Sequence, residues 1–443
     1  MLIQLGSLVL VLLLLILSIS IWKLHPFVAL LLASILLGVF LGFGGAKTLE
    51  AVVVGFSNTL KWIALVVIMG AFIGEVLRET GGAQRISHAI TRQVGEKGLP
   101  AAMGVTGYVI SIPVFVDVAY IVLQPITEAL AGKTGKPILV LGLSLAAGLT
   151  VSHTLIPPTP GPLALASYLG ADLGRMIWVN GIVGLFAVAG GVLWASTYCK
   201  RFRIPYDRML ATREGTLSES SSKEGRAALW GDLLPIGVPI LLMGMGAFLS
   251  FEGGSTLDAL VSFVSIPVVA VMIGAGIAWL LYAQRKAASS VSELVDAAIV
   301  KSALVLMITG AGGAFGYLIR ESGIQNSLSE FFLTLPYLGF ILPFLLAAVL
   351  TSATGSITVS LIGTGSILGP MVGSLGFSPE LLAALIGSGA FCVFHANSSF
   401  FWLLNRLHEV PVPILYRTYT LQSLVMGLSG LVGVLVLMSL GLR

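Results

Sequence analysis

Residues 70–81 read GAFIGEVLRETG, and residues 312–323 read GGAFGYLIRESG. Gly70, Gly74, Arg78, Glu79 and Gly81 fall on Gly312, Gly316, Arg320, Glu321 and Gly323 at one offset of 242, with Thr80 on Ser322. Without a gap, the same offset carries Pro113 onto Gly355 and His153 onto His395. Chance supplies one such match but is a poor account of the set. The chain is therefore read as two related halves.

Both copies of this motif end long apolar runs. The chain is 56% hydrophobic and 10% charged, with a mean hydropathy of +1.01, whereas a soluble domain carries about 25% charged residues. Water is not the main solvent of this surface. Many runs are long enough to cross roughly 30 Å of hydrocarbon. Met1–Trp22 has no basic n-region and no small-residue cleavage site, so it reads as a retained helix. Alternating ten-residue strands are absent, which argues against an outer-membrane barrel. The 53 glycines point to close packing or broken helices. Cys199 and Cys392 have no metal-ligand spacing, so no metal or other cofactor is expected. No GxxxxGK[ST] loop is present, which argues against ATP-driven transport by this chain alone.

The first half, 1–199, reads as helices at about 2–22, 26–44, 55–77 and 175–198. Between them lie two interrupted segments. One, at about 99–131, breaks at Ser111-Ile112-Pro113, and the other, at about 137–171, breaks at Ile156–Pro162. A polar stretch at 200–228 reads as a cytoplasmic linker rather than a nucleic-acid site. The second half, 229–443, repeats the plan, with helices at about 230–250, 258–283, 297–319 and 416–441. Its interrupted segments lie at about 337–372, around Thr354-Gly355-Ser356, and at about 379–406, around His395–Ser399.

If 99–131 and 337–372 are re-entrant hairpins, each half crosses the bilayer five times, and an odd count inverts the second half. The expected fold is thus an all-α polytopic membrane protein of two inverted repeats, the design of many secondary transporters. With both termini on the periplasmic side, only Lys47, Arg175, Arg320 and Arg443 of the 24 Lys and Arg fall outside, while Lys61 and Lys301 lie near helix ends. The rest are cytoplasmic, as the positive-inside rule asks. Two spanning helices in place of each hairpin would scramble this bias.

Broken helices leave polar backbone groups that cost several kcal/mol each in lipid unless protein or a watery cavity satisfies them. Four breaks at corresponding places indicate a central site, where half-helix N-termini can hold an anion without a buried cation. Ser111 and Pro113 stand at the first hairpin tip. Asp117 is the one carboxylate well inside an apolar run, so it is a candidate for proton or cation coupling; the alternative is a helix cap. Thr354, Gly355 and Ser356 belong to a hydroxyl-rich second tip that suits carboxylate or sugar hydroxyls, unless these hydroxyls back-bond to their own helix. His153 and His395 each precede a break, and either imidazole suits substrate binding or proton relay. Asn397 and Ser398 offer oxygens to substrate or to Na⁺. Glu75 is expected to pair with Arg78 or Arg92.

These residues also resemble a known family, the gluconate permease (GntP) family of proton-coupled sugar-acid symporters. The carrying stretches are His25-Pro26-Phe27 with the run after it, GGAQRI at 81–86, IPVFVDVAYIVLQPI at 112–126, SHTLIPPTPGPLALA at 152–166, GADLG at 170–174 and FHANSSFFW at 394–402. The resemblance implies an ion-transporter-type, elevator-like fold in a bacterial inner membrane, and a homodimer with scaffold and mobile transport domains. It places substrate between the hairpin tips and the breaks, with Asp117 at a position that is usually acidic. Thr159, which would contact polyol groups, stands where the family often has His. Asn397-Ser398 stand where it often has an Asn-Asp pair. Members take gluconate, ketogluconates, D-serine and other hydroxy acids. The expectation is import of a small sugar acid or hydroxy acid by proton symport, with Asp117 and His153 in proton coupling. Na⁺ coupling on the same fold and an intramembrane His/Asp enzyme are the alternatives.

Overall fold

The computed structural model describes residues 2–22, 24–92, 94–202, 226–248, 256–285, 290–322, 336–395 and 398–442. Most of the expected linker at 200–228, and Asn397, lie outside them. The first half runs α1 (Leu2–Ser20), α2 (Pro26–Phe40), α3 (Gly45–Glu79), α4 (Gly82–Arg92), α5 (Leu99–Ile110), α6 (Val116–Thr134), α7 (Ile138–Leu155), α8 (Pro160–Leu169) and α9 (Leu173–Thr197). The second runs α10 (Arg226–Phe248), α11 (Thr256–Val264), α12 (Pro267–Arg285), α13 (Val291–Glu321), α14 (Pro336–Thr354), α15 (Ile357–Leu368), α16 (Pro379–Ala390), α17 (Ser399–His408) and α18 (Leu421–Ser439). By length and composition, five helices among the described residues can cross a bilayer, or six with α3, which bends by 43° between Lys61 and Ala64.

The breaks fall where the sequence puts them, between α5 and α6, α7 and α8, α14 and α15, and α16 and α17. Elsewhere the boundaries move for physical reasons. α3 starts about ten residues before its apolar run, and its first turns expose Lys47 and Glu50. The run at 258–283 is two helices, because Pro267 has no N–H to continue a helix and instead opens a new one. α4 has too little apolar residue for a hydropathy reading. It is amphipathic, burying Ala83, Ile86, Ser87 and Thr91 while exposing His88 and Arg92.

Two helices form the centre. α7 is buried at every residue, and α16 from Glu380 to Ala390. Each ends at a break. A helix apolar all round belongs in an interior. α9, by contrast, exposes Trp178, Ile182, Leu185 and Leu193 along one helical stripe, a face suited to lipid.

Glycines set the close approaches, since small residues let backbones meet in lipid. A methyl on Gly148 of α7 would overlap the Gly104 carbonyl of α5, and one on Gly107 would lie 2.5 Å from the Leu145 carbonyl. α3 meets α13 similarly: a Cβ on Gly55 would lie 2.7 Å from the Gly313 carbonyl. Glu75 of α3 pairs with Arg78, as the sequence suggests, and also with Lys301 of α13. Asp232 of α10 is fully buried and takes Arg85 of α4 (2.7 Å) and Arg285 of α12 (2.5 Å).

Candidate functional site

α7 cannot continue past Leu155 because the chain runs Ile156-Pro157-Pro158-Thr159-Pro160-Gly161-Pro162. Four prolines remove four N–H donors, which leaves mainly carbonyls to satisfy. Thr159 does much of this work. Its hydroxyl reaches the carbonyls of His153 (2.9 Å) and Ile156 (2.7 Å). Asn180 of α9 donates to the Leu155 carbonyl at 2.9 Å. The break is thereby compatible with an apolar surround, and Thr159 then opens α8 as its N-cap.

The second break is tied differently. Thr351 of α14 donates to the Ala390 carbonyl at 2.7 Å, and the Phe394 N–H donates to Ser423 at 2.9 Å. His395 Nε2 lies 2.9 Å from the Ser352 carbonyl, which links this break to the second hairpin. Ser398 is buried, and its N–H donates to the His395 carbonyl at 2.9 Å. Val393 sits at φ 57°, a region β-branched residues rarely adopt, at a cost of about 1–3 kcal/mol.

At the first tip, Ser111 is buried and donates to the Val114 carbonyl at 2.9 Å. The Pro113 carbonyl faces Gly74 of α3, where a Cβ would lie only 2.6 Å from it. At the second tip, Thr354 back-bonds to the Leu350 carbonyl at 2.7 Å, and Gly355 takes φ +71°, which favours glycine. Ser356 caps α15, accepting from the Val359 N–H at 3.3 Å. The hydroxyls of Thr354 and Ser356 thus serve the hairpin itself.

Pro113, His153 and Thr159 meet. With Gly70, Phe115 and Pro158 they line a crevice of about 10 Å³, room for about one water and far below the roughly 300–1,000 Å³ usual for ligand sites. The His153 ring lies 5.7 Å from that of Phe115, and its buried Nδ1 has no hydrogen-bond partner among the described residues. No Lys or Arg lines the pocket. The N-termini of α6 and α8 border it through Phe115 and Thr159, and their dipoles favour a negative group; α6 supplies the N–H donors, since Pro160 and Pro162 leave α8 only that of Gly161 in its first turn. α15 of the second half packs beside it: a Cβ on Gly161 would lie 2.8 Å from Leu361 and 3.8 Å from the Thr358 Cα. Asp117 stands in the first turn of α6, exposed and outside the pocket lining, with no hydrogen bond or ion pair among the described residues. Thr354, Ser356, His395 and Ser398 also lie outside that lining.

Two features escape sequence reasoning. Tyr120 of α6 and His408 of α17 are buried and lie 2.7 Å apart (Oη to Nε2). A larger pocket, about 320 Å³, lies between α3 and α13 on one side and α8 and α15 on the other, and Arg320 lines it. Arg320 is in the repeated motif, but nothing in that motif signals a cavity.

A model of the GntP family permease matches residues 1–441. The chain is 32% identical to a gluconate permease of Zymomonas mobilis over 97% of its own length and 96% of that protein's. It is 29% identical to a high-affinity gluconate transporter of Escherichia coli, covering 96% of this chain and 97% of that one. Among solved structures, MtrF of Neisseria gonorrhoeae, from a class of antimetabolite efflux pumps, superposes with a TM-score of 0.72 at 15% identity. The match covers 95% of this chain and 96% of that one.

Proposed function

The chain belongs to the GntP family of permeases, and from that premise we propose that it imports gluconate or a related sugar acid across a bacterial inner membrane by proton symport with alternating access. Family members are permeases, not enzymes, and the chain is a multi-pass membrane protein. The observation that carries the reading is the pocket joining the first hairpin tip to the broken helix. It presents two helix N-termini, the His153 imidazole and the Thr159 oxygen, and no fixed cation. Such a site suits a carboxylate that must be released as well as bound. His153 and Thr159 would contact polyol groups, and the N-termini would hold the carboxylate. Ser111 and Pro113 would shape the tip, while Thr354, Gly355, Ser356, His395, Asn397 and Ser398 would join the site from the second half only once that half moves toward the pocket. Asp117, in the first turn of α6, would exchange the proton.

Alternating access draws support from a broken symmetry. By the repeat, Pro113 corresponds to Gly355 and Gly74 to Gly316. Gly74 meets Pro113 at the first tip, whereas Gly316 meets Ser366, eleven residues beyond Gly355. Along a helix that is about 16 Å. A body carrying both hairpins (α5–α9 and α14–α18), displaced toward one face of a scaffold (α1–α3 and α10–α13), accounts for this difference. The opposite displacement would bring Gly355 to Gly316 and Gln124 to Gly74. The pocket's small volume agrees with a site that opens only as the tip moves.

The test is uptake of labelled gluconate into proteoliposomes under imposed pH or Na⁺ gradients. Expected are stimulation by an inward proton gradient and its loss in Asp117→Asn, with gluconate binding weakened in His153→Ala. Stimulation by Na⁺ at constant pH would assign the coupling to Na⁺. No uptake of any hydroxy acid under either gradient would discard the reading.

A further inference from the structure

The two ends of the α3–α13 pair are related by the repeat but charged differently. On α3, Arg78 lies 3.1 Å from Glu75 and 3.3 Å from Glu79, and Glu75 also takes Lys301. At the corresponding end of α13, Arg320 replaces Arg78, but Tyr317 replaces Glu75 and Thr59 replaces Lys301. Arg320 is exposed and forms no ion pair or hydrogen bond among the described residues, Glu321 included. One guanidinium is neutralised, and its mate has no partner among the described residues.

Arg320 lines the larger pocket, whose roughly 320 Å³ reaches the lower end of the range of small-molecule sites. Asn58 and Tyr317 share the α3–α13 wall with it, and Ser167, Tyr168 and Ser366 stand opposite on α8 and α15. The donors of Tyr168 and Ser366 are used by the Thr309 and Gly363 carbonyls at 2.5 and 2.9 Å. Asn58, Ser167 and Tyr317 have no hydrogen-bond partner among the described residues. A planar cation surrounded by uncommitted amide and hydroxyl groups matches a carboxylate bearing hydroxyls. It is also where the displaced second hairpin tip would arrive, since Gly316 lines the same pocket.

We propose that this pocket is a second, outer anion site, in which Arg320 takes the carboxylate of a small hydroxy acid before the main site reaches that face. The assignment of the occupant and of the outer face rests on the function and orientation proposed above. The neutralised Arg78 at the opposite end gives no comparable hold on the anion, so capture is biased to one side.

The test compares wild type, Arg320→Gln, Arg320→Lys and, as a control cation away from the pocket, Lys47→Gln. Initial uptake of labelled D-gluconate into cells is read as KM and kcat at two ionic strengths, and gluconate binding to the purified proteins is measured by calorimetry. Expected for R320Q is a KM raised about tenfold or more, with kcat within about twofold and a weaker dependence on salt. R320K should recover most of the loss, K47Q should match wild type, and purified R320Q should lose one class of gluconate site while His153→Ala loses the other. An R320Q protein with wild-type KM, salt dependence and binding overturns the outer site alone. Absence of gluconate uptake and binding in wild type overturns the substrate reading and this occupant together.

Discussion

Gly70 and Gly74 stand one turn apart on α3, yet a methyl group meets different neighbours at each. At Gly70 it would make ordinary contact with the Pro158 ring at 3.4 Å; at Gly74 it would press on the Pro113 carbonyl at 2.6 Å. Gly70→Ala should therefore leave the first tip where it is, while its methyl narrows the proposed substrate pocket and weakens gluconate binding. Gly74→Ala should disfavour the described placement of the first tip by about 1–3 kcal/mol, roughly 5- to 150-fold in its population. Uptake kinetics of Gly74→Ala decides this, and wild-type behaviour would remove the tip–scaffold contact from the mechanism. Thr159 offers a second test. Its hydroxyl serves two freed carbonyls, so Thr159→Val should lower stability by about 1–3 kcal/mol, and Thr159→Ser should restore it. Thermal unfolding in detergent, followed by tryptophan fluorescence, reads both. Proline spacing exposes this break in the sequence, but the residue that closes it shows only once the chain is folded back over six positions.

At the scale of elements, α4 is the piece that hydropathy conceals, and one buried carboxylate holds it. Asp232 joins Arg85 of α4 and Arg285 of α12. Both arginines read as cytoplasmic loop cations from sequence, because distance along the chain hides their partner. Breaking a buried pair from one side costs about 3–5 kcal/mol. Asp232→Ala should thus lower the melting temperature sharply, whereas losing the exposed Lys47, which only overlies the Phe43 ring at 4.6 Å, should not. Equal melting temperatures would show that the triad contributes little. Because α4 leads into α5 and the break that borders the proposed site, the same substitution should also slow uptake. The α5–α7 contact is more rigid still: with Gly148 against Gly104 and Gly107 against Leu145, neither helix has room for a side chain at those points.

For the whole molecule, the proposed displacement makes a concrete demand. In a background without Cys199 and Cys392, Gly316→Cys with Ser366→Cys should cross-link in the described state. Gly316→Cys with Ser356→Cys should cross-link in the opposite one, each pair blocking uptake until reduced. Disulfides require Cα atoms within about 7 Å, so the two pairs cannot both form in one rigid structure. A second pair that never reacts would rule out a shift of this size.

The sequence by itself determined the solvent, the helical class, the four breaks and the family, because hydropathy, proline and a motif repeated at one offset are local properties written along the chain. It also marked Pro113, His153 and Thr159, which the fold brings into one pocket. What only the tertiary structure decided is which groups are already spent and which are free. The hydroxyl of Thr354 is turned to its own helix, Arg85 and Arg285 are neutralised, and Arg320, beside a cavity, has no partner among the described residues. Those outcomes depend on partners up to 147 residues away, and on a packing asymmetry between two halves that the sequence presents as alike.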